Sequence, residues 1–301
     1  SAIERATEPG VFGLDDILGI HRALMDRSRT PELGGVVRTE QNWIGGSSYN
    51  PCNAAFVPPP PELVSGLLED LLAYLACDVH SPLVQAALAH AQFETIHPFP
   101  DGNGRTGRAL VHVVLRRRGA ARAFVPPVSL VLATWATDYI AALTAFRHTS
   151  LPDSAARSVA AHTWLRTFAS ATRRACADAE RYAARIDALQ IEWRARLGAA
   201  RRASAADVLL GVLPGAPVVT VESAAALIGR STVATGAAVN RLVEVGILTQ
   251  RDLLRRRYRV FEAGDVLDLF TSLERSLASP TGDTRTSPPK RRVPARGPRG
   301  R

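Results

Sequence analysis

Apolar residues recur at helical spacing along most of this chain, and the pattern predicts a mainly α protein. Leu14, Ile17, Leu18, His21, Leu24 and Met25 follow i, i+3, i+4, i+7 spacing, the mark of a helix with one buried face; His21 on that face reads as a packed histidine. Two more helices are expected over Glu62 to Ala76 and Pro82 to Ile96. Pro61 and Pro82 sit where a first helical turn tolerates proline, since its missing N–H has no partner there anyway. In the second of these helices Leu83, Ala86, Ala87, His90 and Phe93 form the buried stripe; His90 and Glu94 read as a packed histidine and a solvent-facing glutamate, with orientation of His97 as the alternative. Gly104 to Arg118 continues the series, and Pro126-Pro127 breaks it before a helix from Ser129 to His148. Ser154 to Ala203 reads as long Ala- and Arg-rich helical structure, in which Trp164, Leu165 and Phe168 pack on the preceding domain and Arg181 to Arg202 present a solvated face.

Two stretches depart from this period. Val36 to Ile44 and Ala55 to Val57 are short extended runs around a Gly/Ser/Asn tip at residues 45–51, which predicts a β-hairpin flap. From Ser204 the helices shorten: one ends at Leu213, and residues 221–228, a Gly229-Arg230-Ser231 turn and residues 232–245 have helix-turn-helix spacing, with Ser231 a plausible N-cap. Leu253-Leu254 and Tyr258 to Val260 are expected to form a wing. The expected organisation is a first domain over 12–168, a helical connector over 169–203, a winged helix-turn-helix-like domain over 204–278 and a disordered Arg/Pro-rich tail over 279–301.

The 301 residues, 46% of them hydrophobic, suffice for two cores. No apolar run reaches the ~18 residues of a membrane span, and no signal segment opens the chain, so the expectation is a cytoplasmic protein without membrane partners. Cys52, Cys77 and Cys176 are odd in number and widely spaced, which indicates neither a disulfide framework nor a zinc site; Cys77 and Cys176 read as helix-packing residues. Lysine occurs once, at Lys290, so a Gly-Lys-Ser/Thr phosphate loop is excluded. Of the formal charge of +9, most belongs to residues 279–301, so general polyanion affinity of the folded part is not implied.

The chemistry concentrates in His97-Pro-Phe-Pro-Asp-Gly-Asn-Gly-Arg-Thr-Gly-Arg108. Pro98 and Pro100 stop the preceding helix. Gly102 and Gly104 let the chain bend so that backbone N–H groups at the start of the next helix converge as an anion nest. Arg105 and Arg108, three apart, share one helix face and suit phosphate oxygens. So much positive charge matches a di- or triphosphate better than a single phosphate. Asp101 at the loop mouth is a natural carboxylate for the Mg²⁺ that accompanies such ligands. His97, titrating near neutrality, is the loop's one side chain suited to accept a proton from an attacking group. Phe99 reads as an apolar plug.

This string resembles, position for position, the signature His-x-Phe-x-Asp/Glu-Gly-Asn-Gly-Arg-x-x-Arg of the Fic (Fido) family. The likeness extends to Gln41-Asn42-Trp43-Ile44-Gly45-Gly46 and Phe56 to Pro60, similar to the family's flap, and to His90 through Ile96, similar to its lead-in helix. The resemblance implies a Fic-fold helical core and a protein adenylyltransferase. His97 would deprotonate a target-protein hydroxyl that attacks the α-phosphorus of ATP and expels pyrophosphate, and Asp101 would hold Mg²⁺. Gly102, Asn103 and Gly104 would cradle the phosphates, Arg105 and Arg108 would neutralise the leaving pyrophosphate, and Thr106 and Gly107 lie between them in the same nucleotide site. Tyr139 matches the position whose ring packs near the nucleotide base, with ordinary core packing as the alternative. The flap, Val36 to Val57, would dock the target protein by strand addition.

Two other functions stay in view. One is a Fic enzyme with another donor, such as UTP or CDP-choline, or one that removes AMP. The other is a DNA-binding regulator whose core senses nucleotide; Arg255, Arg256 and Arg257 could touch phosphates, but Asn240 and Arg241 offer little for base reading. A homodimer is also open. Many family members carry Ser/Thr-x-x-x-Glu-Gly/Asn, whose glutamate pairs with the second signature arginine, here Arg108. Ser1-Ala2-Ile3-Glu4-Arg5 is a fragment of that pattern, but Glu4 is followed by Arg5 and lies close to His21. The expectation is that the chain lacks its own inhibitory glutamate and that Arg108 is free for the γ-phosphate.

Overall fold

The computed structural model describes residues 2–8, 10–47, 49–121, 126–147, 154–198, 201–251 and 259–293. It is mainly α-helical with one small antiparallel sheet, and it divides into two compact units, Ser1–Arg173 and Arg174–Arg301.

In the first unit, α1 (Ala2–Ala6), α2 (Leu14–Met25), α3 (Pro61–Leu75), α4 (Pro82–Ile96) and α5 (Asn103–Arg117) follow in order, with a 3-10 turn at Pro31–Leu33. The helix α4 is the centre. It is buried on nearly every side, including the small residues Ala86, Ala87, Ala89 and Ala91, which let α5 approach closely; α3 flanks it as well. Helices covered all round are core elements and lose the one-sided stripe of a surface helix. The short α1 packs on α2 and α5, where Ala6, Ile20, Ala109 and Val113 form a small cluster.

Two helices, α6 (Val128–Thr134) and α7 (Ala136–Phe146), replace the single helix expected over 129–148. The chain leaves helical geometry at Trp135, φ −94 and ψ 35, and the pair bends by 97°. Among the described residues no single helix is long and apolar enough to cross a membrane. The long α8 (Ala155–Leu197) begins in the first unit. There Trp164 and Phe168 are fully buried, and the Trp164 indole donates to the Ala87 carbonyl at 2.9 Å.

The flap is less regular than expected. Residues 36–43 form no strand, and a single antiparallel bridge, Ile44 with Phe56, joins the two runs. Side-chain bonds to backbone carbonyls supply the rest of the anchoring: Gln41 Nε2 donates to Pro58 at 2.9 Å and Asn42 Nδ2 to Phe99 at 3.0 Å. Cys77 is exposed and donates to the Ala73 carbonyl, so it is not the packing residue anticipated.

The second unit holds the end of α8, then α9 (Ala205–Val212), β1 (Val218–Val219), α10 (Val221–Ile228), α11 (Thr232–Glu244), β2 (Thr249–Gln250), β3 (Phe261–Glu262) and α12 (Gly264–Ala278). Ser204, Thr220 and Ser231 cap α9, α10 and α11 through their hydroxyls. Gly229, at φ 63, turns the chain between α10 and α11. The sheet runs β1-β3-β2, with Val219 opposite Phe261 and Gln250 opposite Phe261. The paired segments thus flank the expected wing positions. Leu253, Leu254, Arg255 to Arg257 and Tyr258 lie outside the described residues. Trp193 and Leu197 of α8 join Leu209, Val239, Leu242 and Phe261 in this core. In the stretch expected as a disordered tail, Ser279 is buried, Arg174 donates to the Pro280 carbonyl and the Lys290 N–H to the Ala278 carbonyl.

Candidate active site

The site is made where α4 stops and α5 starts. His97 ends α4 in the left-handed region, φ 50 and ψ 58, with its N–H still bonded to the Phe93 carbonyl at 2.9 Å. Such backbone strain in a non-glycine residue persists only when its surroundings fix it. Arg38 does much of that fixing. Its buried guanidinium donates to the carbonyls of His97 at 2.9 Å, Ile96 at 3.3 Å, Glu40 at 3.2 Å and Pro59 at 2.5 Å, tying the end of α4 to both feet of the flap. No sequence signal marked Arg38, because its partners are backbone atoms distant in the chain.

Phe99 is the plug anticipated: it is fully buried and lies flat on the His21 ring at 3.7 Å. The Asn103 amide clasps it, accepting from the Phe99 N–H at 2.9 Å and donating to its carbonyl at 2.7 Å. Asn103 therefore closes the loop with its side chain, which leaves its backbone N–H as its group available to a ligand. His21 is packed as expected. Its Nδ1 accepts the Gly35 N–H at 2.9 Å, so Nε2 carries the proton and donates to the Asp101 carbonyl at 2.9 Å. Gly102, at φ 82, must be glycine twice over: the left-handed backbone favours it, and a Cβ there would meet His21 Nε2 at 2.8 Å and Met25 Sδ at 2.9 Å.

Helix geometry leaves the first N–H groups of α5, at Asn103, Gly104 and Arg105, without intrahelical partners. Asp101 turns one carboxylate oxygen back to the Gly102 N–H at 2.6 Å and the other to Arg105 Nη2 at 3.2 Å. Arg108 makes no hydrogen bond or ion pair among the described residues, and its Nη1 lies over Gly104, 3.0 Å from where a Cβ would sit. Thr106 and Gly107, by contrast, are buried. Thr106 Oγ1 donates back to the Gly102 carbonyl at 3.1 Å, and Gly107 faces α4, where a Cβ would come within 2.6 Å of Glu94 Oε1 and 3.2 Å of His90 Nδ1.

Glu94 is the clearest departure from expectation. It does not face solvent but is 6% exposed, because α5 covers the side of α4 that the sequence pattern left polar. Burial pushes its carboxyl up from the ordinary range, against the pull of His97, Arg108 and Arg147. His90 is fully buried and held down to about 4 by desolvation; its Nε2 pairs with the Tyr139 hydroxyl at 3.0 Å. Tyr139 thus packs on His90 and Trp164, and burial raises its phenol. Burial likewise lowers His97, with Glu94 opposing, which leaves the imidazole neutral at pH 7 and able to accept a proton. Arg147, another residue without a sequence signal, donates to the Glu94 carbonyl at 3.0 Å and lies 3.9 Å over the Phe56 ring.

Among the described residues no three His, Cys, Asp or Glu side chains gather as a metal cage. A single exposed carboxylate beside a nest is instead the donor set that suits Mg²⁺ when phosphates and water complete its shell. Asp101 fits that role.

Comparison with known proteins finds similarity over the segment that carries this site. Residues 11–115 match the Fic/DOC family. "Protein adenylyltransferase fic-1" of Caenorhabditis elegans is 35% identical over 131 residues, 42% of this chain and 23% of that protein. "Protein adenylyltransferase Fic" of Aedes aegypti is 37% identical over 118 residues, 38% of this chain and 21% of that one. The chain thus spans about a quarter of the length of the curated relatives it matches. A Fic family protein structure from Desulfovibrio desulfuricans G20 covers 87% of this chain and 72% of its own at 22% identity, with a TM-score of 0.49.

Proposed function

We propose that this chain is a protein adenylyltransferase that transfers AMP from ATP to a hydroxyl of a target protein. The observation that carries the reading is the convergence, at one loop, of a neutral, half-buried imidazole, open helix N-terminal N–H groups and two arginines. His97 accepts the proton as the hydroxyl oxygen bonds to the α-phosphorus; the bond from that phosphorus to the bridging oxygen breaks and pyrophosphate leaves. The N–H groups of Asn103, Gly104 and Arg105 face the phosphate oxygens, and the guanidinium groups of Arg105 and Arg108 offset the charge that builds on the leaving group. Asp101 would hold Mg²⁺, which when bound neutralises phosphate charge. Gly102, Thr106 and Gly107 shape the loop and helix from behind, and Tyr139 stands at the inner edge, held by His90. The flap over residues 36–57 presents the target segment.

The second unit is read as a winged-helix-like module for protein docking. Arg241 of α11 donates to the Leu197 carbonyl at 3.0 Å within its own unit, which leaves exposed Asn240 as the main polar reader on that helix and weakens the case for DNA. Incubation with cell lysate and α-labelled ATP, with UTP and CTP in parallel, tests the reading. Label from ATP on protein is expected; label only from another donor would move the chain to a different transfer reaction.

A further inference from the structure

The site holds a buried acid that the mechanism above does not use. Glu94 Oε1 is enclosed and has no hydrogen-bond partner among the described residues; the same is true of His97 Nδ1, three positions along. A buried oxygen left without a partner destabilises the fold, so its retention one helical turn from His97 calls for a use. The cations near it are turned elsewhere. Arg147 directs its donors to the Glu94 carbonyl and Thr95 Oγ1, and Arg108 makes no bond to it. On the α5 side Gly107 leaves the room the carboxyl occupies. His90 and Tyr139 close the remaining side, already paired with each other.

We propose that Glu94 is a positioning residue for His97: its enclosed carboxylate is the counter-charge for the imidazolium formed when His97 accepts the hydroxyl proton. This rests on His97 being the base. The enclosure matters because a charge pair shielded from water interacts far more strongly than one at the surface. The groups that face Glu94 are His90 and His97 from its own helix, Arg108 from α5, and Tyr139 and Arg147 from α7 and its end. Of these, His97 is the one whose charge changes during the proposed reaction.

The test is an NMR titration of the His97 imidazole, identified by its absence in His97→Ala, in the parent chain and in Glu94→Gln. Glutamine keeps the shape and removes the charge, and the expected result is an approximately tenfold loss of His97 proton affinity, the size typical of a nearby opposite charge. In the labelled-ATP assay the acid limb of the pH profile should move to lower pH by the same factor, with KM for ATP little changed. An imidazole that titrates identically in both chains would overturn the proposal. Should Glu94→Gln fail to fold, the Glu94 side-chain carboxyl carbon in the parent chain should show a step at the pH where His97 titrates, and that step should vanish in His97→Ala; no step overturns the proposal. A parent chain with coupled titration but no label transfer would count against the proposed activity, not against the coupling.

Discussion

Gly107→Ala puts the packing of α4 on α5 to a quantitative test. In an exposed helix, Gly to Ala should stabilise by about 0.5–1 kcal/mol, because alanine restricts the unfolded chain and favours the helix. At Gly107 the new Cβ would lie 2.6 Å from Glu94 Oε1, 3.1 Å from Phe93 Cδ1 and 3.2 Å from His90 Nδ1. All three neighbours are buried, so none can swing into solvent. An extra methyl in such an interface costs about 1–3 kcal/mol, which offsets the helix gain and leaves a net loss of roughly 0–2.5 kcal/mol. Gly66, in the middle of α3, has nothing within 4 Å of its hypothetical Cβ and supplies the control. Urea unfolding followed by tryptophan emission should place the Gly107→Ala midpoint below the parent and that of Gly66→Ala at or above it. At about 2–4 °C per kcal/mol for a unit of this size, the two melting temperatures should also separate. Equal stabilisation by both substitutions would mean that α4 and α5 are not packed as described and that Glu94 is not enclosed.

His97→Ala should abolish label transfer while ATP binding, measured calorimetrically, persists; undiminished transfer would remove His97 as the base. Arg105→Ala should weaken ATP binding about tenfold or more with or without Mg²⁺, whereas Asp101→Ala, which also releases Arg105 from its ion pair, should weaken it only when Mg²⁺ is present; identical behaviour of the two in EDTA would misplace the metal. His90, near 4 when folded and 6.5 otherwise, binds its proton more readily in the unfolded chain, so its stability contribution is full above pH 6.5 and falls by about 1.4 kcal/mol per pH unit toward pH 4; a His90→Gln chain with an unchanged slope of stability against pH would refute this. Glu4 is followed by Arg5, and Arg108 lies over Gly104; Glu4→Gly is therefore expected to leave label transfer unchanged, and a large gain of activity would show Glu4 to be the inhibitory residue.

The helices of the first unit were legible because their causes are local: the stripe of α2, the prolines that open α3 and α4, and the Gly102–Gly104 bend all act within a turn or two of chain. The loop from His97 to Arg108 was legible for the same reason, since helix stop, nest and paired arginines follow from spacing alone. Gly229 and the hydroxyl cap Ser231 likewise declared the second unit. Other features depend on what lies opposite, which spacing does not encode. Glu94 occupies a polar position of its stripe and became buried only because α5 covers it. Arg38 and Arg147 look like any surface arginine until the carbonyls of residues 94, 96 and 97, brought from elsewhere in the chain, receive their protons. α12 was missed although Val266, Leu269 and Leu277 carry a helical period, since residues 261–278 were placed in the winged-helix-like domain without an element of their own; and the bend at Trp135 divides a continuous apolar run whose two halves bury different residues. Local propensity set where helices begin and end, and close packing of distant segments decided which of their polar groups lost access to water and so acquired a perturbed charge.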